Sequence, residues 1–139
     1  MNREELCRAA LKAMRTAYAP YSDYYVGAAL ECADGTVYTG CNIENASYTP
    51  TICAERVAIF KAVSDGKRDF KRIAVCGGKE GVVADIFPPC GVCRQVMSEF
   101  CTSAFEILMI RSEDPLQFET VTLVDLLPFR FTPEHLEQI

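Results

Sequence analysis

Three cysteines stand where they could bind one metal ion together. Cys90 and Cys93 form a C-x-x-C pair, and Cys53 precedes them in the chain. A C-x-x-C pair alone is ambiguous, because redox pairs, structural zinc sites and chance all produce it. Cys53 and the pair both fall at the beginnings of predicted helices, where free backbone N–H groups and the helix dipole favour thiolates. Zinc binding is therefore one interpretation of the spacing.

Glu55 follows Cys53 by two residues. On the flank of a helix, two residues so spaced point about 200° apart and cannot share a site. They can share one that lies beyond the helix N-terminus, with Cys53 binding the ion and Glu55 beside it. Three thiolates leave the fourth position of a tetrahedral zinc open, which is typical of catalytic zinc sites.

Arg56 is the candidate for offsetting the negative charge of three thiolates around one zinc ion. One cation at about 4 Å contributes roughly 4 kcal/mol at an effective dielectric near 20. The alternative is an ordinary solvated helix arginine. His135, the single histidine, lies near the C-terminus and is predicted to be a solvated helix residue. The proposed zinc site needs no histidine.

Length and charge restrict the class of protein. The 139 residues are 50% hydrophobic and 24% charged, which predicts a single domain over residues 1–139. The net charge of -5 disfavours nucleic-acid binding and fits a small neutral partner. No run of 18 apolar residues and no signal-peptide pattern occur, so we expect no membrane span and a cytoplasmic location.

The eight cysteines could instead form a secreted disulfide framework. Without an export signal, we expect reduced thiols. Outside the candidate zinc ligands, the remaining cysteines are predicted to behave as small buried hydrophobic residues. They are Cys7, Cys32, Cys41, Cys76 and Cys101.

The elements that must position these residues alternate along the chain. Helices are predicted from an Asn2 cap to before Pro20 and over 53–64, 91–100, 122–127 and 134–138, and strands over 26–32, 36–42, 72–76 and 105–110. Asp34-Gly35 predicts a tight hairpin between the first two strands, and residues 77–89 read as a loop. The succession is typical of an α/β sandwich in which helices cover a small mixed sheet.

Four separated blocks, in order, resemble the small zinc-dependent cytidine deaminases. They are Tyr21-Ser22 with the VGAAL run at 26–30, GCNIENA at 40–46, CAER at 53–56 and CGVCRQ at 90–95. The last two contain the three-cysteine form of the zinc deaminase signature. The resemblance extends from Ala19 to Phe131.

The resemblance implies a three-layer α/β/α sandwich with a mixed central sheet of about five strands. It also implies hydrolysis of cytidine and deoxycytidine to uridine and deoxyuridine with release of ammonia, as in pyrimidine salvage. One zinc per subunit would be held by Cys53, Cys90 and Cys93, and zinc-bound hydroxide would attack C4 of the base. Glu55 would carry the proton to N3 and then to the departing amine.

The resemblance further implies which residues contact the nucleoside. Asn42 and Glu44 match the positions that hold the ribose hydroxyls, and the backbone of Ala54 matches the group that reads the pyrimidine edge. Tyr24 and Phe131 match aromatic residues that line or stack on the base, with Tyr24 standing where phenylalanine is usual. For all of them, core packing or turn formation is the alternative.

Assembly is implied in the same way. The resemblance implies a homotetramer whose active sites are lined by more than one subunit. Tyr48 falls in the loop that family members use at a subunit contact near the site, so it is a further candidate substrate contact, with core packing or turn formation as the alternative. Arg56 and Arg94 would correspond to arginines that offset the thiolate charge. Phe129-Arg130 replace smaller residues before the terminal aromatic.

The sequence is also compatible with two other kinds of function. A zinc-stabilised binding module without catalysis would close the metal site with a fourth protein ligand. A deaminase could also act on cytosine in a polynucleotide or in an antibiotic. Basic and aromatic surface for a strand would favour the polynucleotide, whereas Asn42 and Glu44 favour a ribose.

Overall fold

The computed structural model describes residues 1–137. The elements in chain order are α1 (Arg3–Met14), β1 (Tyr24–Cys32), β2 (Val37–Cys41), α2 (Ala54–Ser64), β3 (Phe70–Lys79), α3 (Gly91–Phe100), β4 (Glu106–Ser112), β5 (Gln117–Thr122), α4 (Leu123–Leu126) and α5 (Pro133–Glu137). The last predicted turn extended to Gln138, which lies outside the described residues. Within the described chain, no helix combines the length and apolarity that crossing a bilayer requires.

The strands form one mixed sheet in the order β2-β1-β3-β4-β5. β3 and β4 are parallel, and the other neighbouring pairs are antiparallel. The prediction of a mixed sheet of about five strands is therefore confirmed. The β1–β2 hairpin turns at Gly35, whose φ of 92° suits a glycine. β5 matches no strand predicted from the sequence, and β3 is longer than the predicted 72–76.

Helices cover both faces of the sheet. Alternate residues of the central strands, such as Ala28 and Ala29, belong to two separate buried clusters. One cluster includes the buried face of α1, and the other includes residues of α2, α3 and α4. Because successive strand residues point to opposite faces, these clusters are the two hydrophobic layers of a three-layer α/β/α sandwich, as expected.

The helices begin where the sequence predicts. The Asn2 side chain accepts a hydrogen bond from the backbone N–H of Glu5 at 2.8 Å, and Thr122 forms a capping box with Asp125. Cys53 and Cys90 occupy the N-cap positions of α2 and α3, and neither thiol caps its helix. Both thiols therefore stay free for other contacts.

A network of charged side chains crosses β1, β3 and β4. Arg72 on β3 lies opposite Glu31 on β1 and Glu106 on β4. Its Nη1 donates to Glu31 Oε1 at 3.0 Å, and its Nε donates to Glu106 Oε1 at 3.1 Å. Glu31 is 3% exposed and Arg72 8%, so two of the charges are buried as a pair.

Glycines let the helices approach the sheet closely. A Cβ at Gly27 would lie 2.1 Å from the carbonyl oxygen of Ala10 on α1. A Cβ at Gly40 would lie 2.3 Å from the carbonyl oxygen of Ala54, in the first turn of α2. Since both clashes are with backbone, a side chain at either position must displace a whole helix.

We expect Gly40→Ala to lower the free energy of unfolding by about 1–3 kcal/mol, because the added methyl group displaces the first turn of α2. Gly91→Ala is the matched control, since nothing lies within 4 Å of a Cβ there. Alanine is the better helix former, so this control should leave stability equal or slightly higher. Urea unfolding of both variants measures the difference, and equal losses of stability would contradict the close-approach argument.

Candidate metal centre and active site

Three thiols meet between the N-termini of α2 and α3. The sulfur atoms of Cys53, Cys90 and Cys93 all lie within 4.8 Å of one another. The Cys53–Cys90 and Cys90–Cys93 sulfur distances are both 3.6 Å. Cys53 and Cys90 come from N-cap positions, and Cys93 is the third residue of α3. The structure therefore brings together the three predicted zinc ligands.

The donor set fits a zinc ion. Thiolate sulfurs bind zinc at about 2.3 Å, so two sulfurs of a tetrahedral site are separated by about 3.8 Å. The observed 3.6 Å separations are close to this value. Three protein ligands are the number used in catalytic zinc sites, which reserve the fourth position for water or substrate.

The thiols perturb one another. Hydrogen bonds from Cys93 and then Arg56 lower the pKa of Cys53 to about 5, against the effect of burial. The pKa of Cys93 is raised, first because it donates to Cys53 and then because it is buried. Arg56 Nη2 donates to Cys53 Sγ at 3.5 Å. Arg56 thus contacts a thiol, as expected of a group that offsets thiolate charge.

Glu55 lies in the first turn of α2, beside the thiols. It is 3% exposed, and its Oε1 is a buried polar atom without a hydrogen-bond partner in the described protein. Burial raises the pKa of its carboxyl to about 7. Glu55 also lines a cavity with Cys53 and Cys90, so the carboxyl and two of the thiols share one space.

That cavity measures about 200 Å³. Its other walls come from the end of the first hairpin, the approach to α2 and the turn before Cys90. They are Val26, Asn42, Thr51, Ile52, Phe87 and Pro88. The lining is mostly apolar with a few polar groups, which is typical of a small-molecule site.

A second cavity, of about 320 Å³, shares Thr51 with the first. Glu44 and Tyr48 line it, together with the Tyr21-Ser22 turn. Glu44 Oε1 accepts hydrogen bonds from the backbone N–H groups of Tyr21 at 2.9 Å and Ser22 at 3.1 Å. Burial would raise the pKa of Glu44, but the Ser22 hydroxyl and these two N–H groups lower it below its usual value.

Asn42 stands on the wall of the first cavity and is 8% exposed. Its Oδ1 accepts from the backbone N–H of Val26 at 2.9 Å, and its Nδ2 donates to the carbonyl oxygen of Tyr24 at 2.8 Å. The amide therefore fixes the beginning of β1. Each amide and carboxylate oxygen has two lone pairs, so Asn42 and Glu44 can both accept a further hydrogen bond.

Ala54, Tyr24 and Phe131, the other predicted substrate residues, are not among the described residues that line the two cavities. Ala54 is fully buried at the first position of α2. Tyr24 is 46% exposed, and its ring centroid lies 6.2 Å from that of Phe87, so it packs behind a cavity wall. Phe131 is 56% exposed and stacks on His135 at 5.3 Å.

Two further residues near the centre have contacts that the sequence did not indicate. The side chain of Arg94 donates to the carbonyl oxygens of Pro89 and Leu126, so any offset of the thiolate charge by Arg94 acts without a hydrogen bond from it to sulfur among the described contacts. Cys41 is only partly buried and donates to the carbonyl oxygen of Thr16, so it is no core residue. The remaining predicted core thiols are buried, and all eight cysteines are free.

Three cavity residues were not predicted from the sequence: Phe87, Thr51 and Ile52. Thr51 and Ile52 directly precede Cys53, and Phe87 precedes the Pro88-Pro89-Cys90 run. Their proximity to the candidate ligands was the available signal. A residue next to a metal ligand in the chain must pass close to the site.

Comparison with known proteins agrees with this geometry. Residues 1–109 match the family described as cytidine and deoxycytidylate deaminase zinc-binding region. The chain is 48% identical over 136 residues to a cytidine deaminase of Sporosarcina psychrophila, covering 98% of this chain and 96% of that protein. It is 46% identical to one of Halalkalibacterium halodurans, covering 98% of each chain.

The fold agrees as well. The crystal structure of cytidine deaminase from Burkholderia pseudomallei superposes with a TM-score of 0.84 at 42% identity, covering 94% of this chain and 100% of that chain. The residues matched by the family include all three thiols of the centre. The chain belongs to the cytidine and deoxycytidylate deaminase family.

Proposed function

We propose that the protein hydrolyses cytidine and deoxycytidine to uridine and deoxyuridine with release of ammonia. One observation carries the proposal: a buried carboxyl with an unpartnered oxygen shares a cavity with the three-thiol cluster. A purely structural zinc site gains nothing from a carboxyl held in this way, because burying an unpaired polar atom costs free energy. Relatives that cover nearly the whole chain carry the name cytidine deaminase.

Cys53, Cys90 and Cys93 are the residues that would hold one zinc ion per subunit. When bound, zinc supplies the Lewis acidity that makes a water molecule nucleophilic near neutral pH. Arg56 donates to Cys53, which offsets part of the negative charge of three thiolates. The N-termini of α2 and α3 favour the same thiolates through their backbone N–H groups.

Glu55 is the proposed proton carrier. Its carboxyl faces the cavity between the thiols and the hydrophobic wall formed by Val26 and Phe87. From there it accepts the proton that the attacking water loses and delivers it to N3 of the base. It later helps to protonate the departing amine. One carboxyl suffices because both the water and the base lie on its cavity side.

The nucleoside would extend across both cavities, with the base in the first and the sugar in the second. Asn42 and Glu44 then accept hydrogen bonds from ribose hydroxyls, and the backbone of Ala54 reads the pyrimidine edge. Glu44 keeps its charge for this task, since the Tyr21-Ser22 turn lowers its pKa. Tyr24 would support the base from behind Phe87.

We also propose a single-domain subunit that forms a homotetramer in the cytoplasm. Both hydrophobic layers share one sheet, which supports one domain.

An open groove of about 700 Å³ beside α2 is lined by Ile43, Val57 and Phe60, and exposed apolar grooves suit subunit contacts. Tyr48 lines the second cavity and Phe131 is exposed, and both side chains would reach a neighbouring subunit. Eight free thiols and a net charge of -5 fit a reducing compartment and a small partner rather than a polynucleotide.

Replacing Glu55 by Gln tests the proton carrier. We expect the rate of cytidine deamination to fall by about 10²- to 10⁴-fold, because an amide of the same shape cannot accept the proton. Zinc content should stay at one per subunit. Glu5→Gln, the same change in the first turn of α1, is the matched control. Loss of cytidine absorbance gives the rates, and an E55Q rate equal to that of the parent would refute the role.

Removal of zinc should abolish deamination and expose three titratable thiols. We expect one zinc per subunit in the purified protein, by elemental analysis. Dialysis against a chelator should remove both metal and activity, and added Zn²⁺ should restore them. A protein that deaminates cytidine at the parent rate after the metal is gone would contradict the proposed centre.

Glu44→Gln tests the sugar contact. A charged acceptor binds a hydroxyl more strongly than an amide does, so the KM for cytidine should rise by about 10-fold. Turnover of free cytosine, which has no ribose, serves as the internal control and should change little. If E44Q impaired the turnover of cytidine and of free cytosine equally, Glu44 would act through the fold and not through a contact with the sugar.

A further inference from the structure

The side chain of Arg94 fastens two carbonyl groups that are far apart in the chain. Its Nε donates to the carbonyl oxygen of Pro89 at 2.8 Å, and its Nη1 donates to that of Leu126 at 2.7 Å. Arg94 is partly buried on α3. Two donors on one planar guanidinium fix the relative positions of both acceptors.

The first acceptor adjoins one of the three thiols. Pro89 directly precedes Cys90, whose own carbonyl accepts from the backbone N–H of Arg94 at 2.9 Å. The side chain and the backbone of Arg94 therefore hold two successive carbonyls around Cys90. Cys90 is the most exposed of the three thiols, so it has the least packing to hold it otherwise.

The second acceptor belongs to the C-terminal segment, residues 126–131. Leu126 ends α4, and the next side chain on α3, Gln95, donates to the carbonyl oxygen of Phe131 at 2.9 Å. Both ends of this segment are thus hydrogen-bonded to the turn of α3 that follows Cys93. The segment contacts the metal-binding turn through backbone carbonyls, independently of the side chains it carries.

We propose that Arg94 is a positioning residue that holds the Cys90 turn and the C-terminal segment together and thereby slows the loss of zinc. This inference rests on the zinc binding of the proposed function, but not on the substrate. Its geometry differs from that of a charge-compensating arginine, because its donors go to carbonyl oxygens rather than to sulfur. Arg56 is the residue that donates to a thiol.

The rate of zinc release from the zinc-loaded full-length protein into excess chromogenic chelator tests the proposal. Arg94→Gln should release zinc about 10- to 100-fold faster than the parent, the range typical for groups that orient metal ligands. Arg68→Gln is the matched control, because Arg68 also donates to two carbonyls, those of Val63 and Lys67, at the end of α2. Its release rate should equal that of the parent, and an equal acceleration in both variants would overturn the proposal.

Arg94→Lys separates positioning from charge. A lysine keeps the positive charge but lacks the planar fork that reaches both carbonyls. We expect release from R94K to stay closer to that of R94Q than to that of the parent. Release at the parent rate would show that charge alone is needed and would overturn the positioning role. R94K also keeps the test decisive should R94Q fail to fold.

Amide hydrogen exchange provides a readout of the second contact. In R94K, exchange should accelerate both over residues 88–93 and over residues 123–131, because one side chain holds both segments. In Arg68→Gln neither segment should change. Acceleration confined to residues 88–93 would overturn the link to the C-terminal segment. Neither measurement depends on cytidine turnover, so failure here is distinguishable from failure of the proposed activity.

Discussion

The functional centre depends on the meeting of two helix N-termini. Cys53 and Cys90 each stand at an N-cap without capping the helix, and Cys93 lies one turn further along α3. Three thiols at such short separations repel one another once ionised, so the arrangement is stable only with positive charge nearby. Two helix dipoles and Arg56 supply part of that charge, and a bound zinc ion would supply the rest. The same approach brings Glu55 to the cavity, where its carboxyl lies beside the thiols of Cys53 and Cys90.

Much of this centre could be predicted from the sequence because its residues lie close together in two short blocks. The C-x-x-C pair and the Cys53-Ala54-Glu55 run restrict their own geometry, since a helix start fixes the directions of the first side chains. Asn2 and Thr122 marked helix starts in the same local way. Local chemistry therefore predicted the helix starts and the meeting of the three thiols.

Features fixed by distant contacts were not predictable in this way. Gly77 and Gly78 read as a loop, yet they extend β3 because Val26 and Tyr25 of β1 pair with them. β5 is an edge strand whose residues are all exposed or half-buried, so its hydrophobic pattern is weak. The hydrogen bond from Arg94 to the carbonyl oxygen of Leu126 joins residues that are far apart in the chain, so no local sequence pattern indicates it.

The charged network across β1, β3 and β4 has a consequence for how the sheet assembles. Sliding β3 by one residue would turn Arg72 toward the opposite hydrophobic layer. The buried carboxylate of Glu31 would lose its 3.0 Å ion pair and keep the more distant N-terminal amino group, 3.8 Å away. Mispaired sheets are thus penalised electrostatically as well as by packing. β3 leads into the segment that carries Phe87 and Cys90. The correct pairing of Arg72 at one end of the sheet therefore also fixes the position of that segment at the other end.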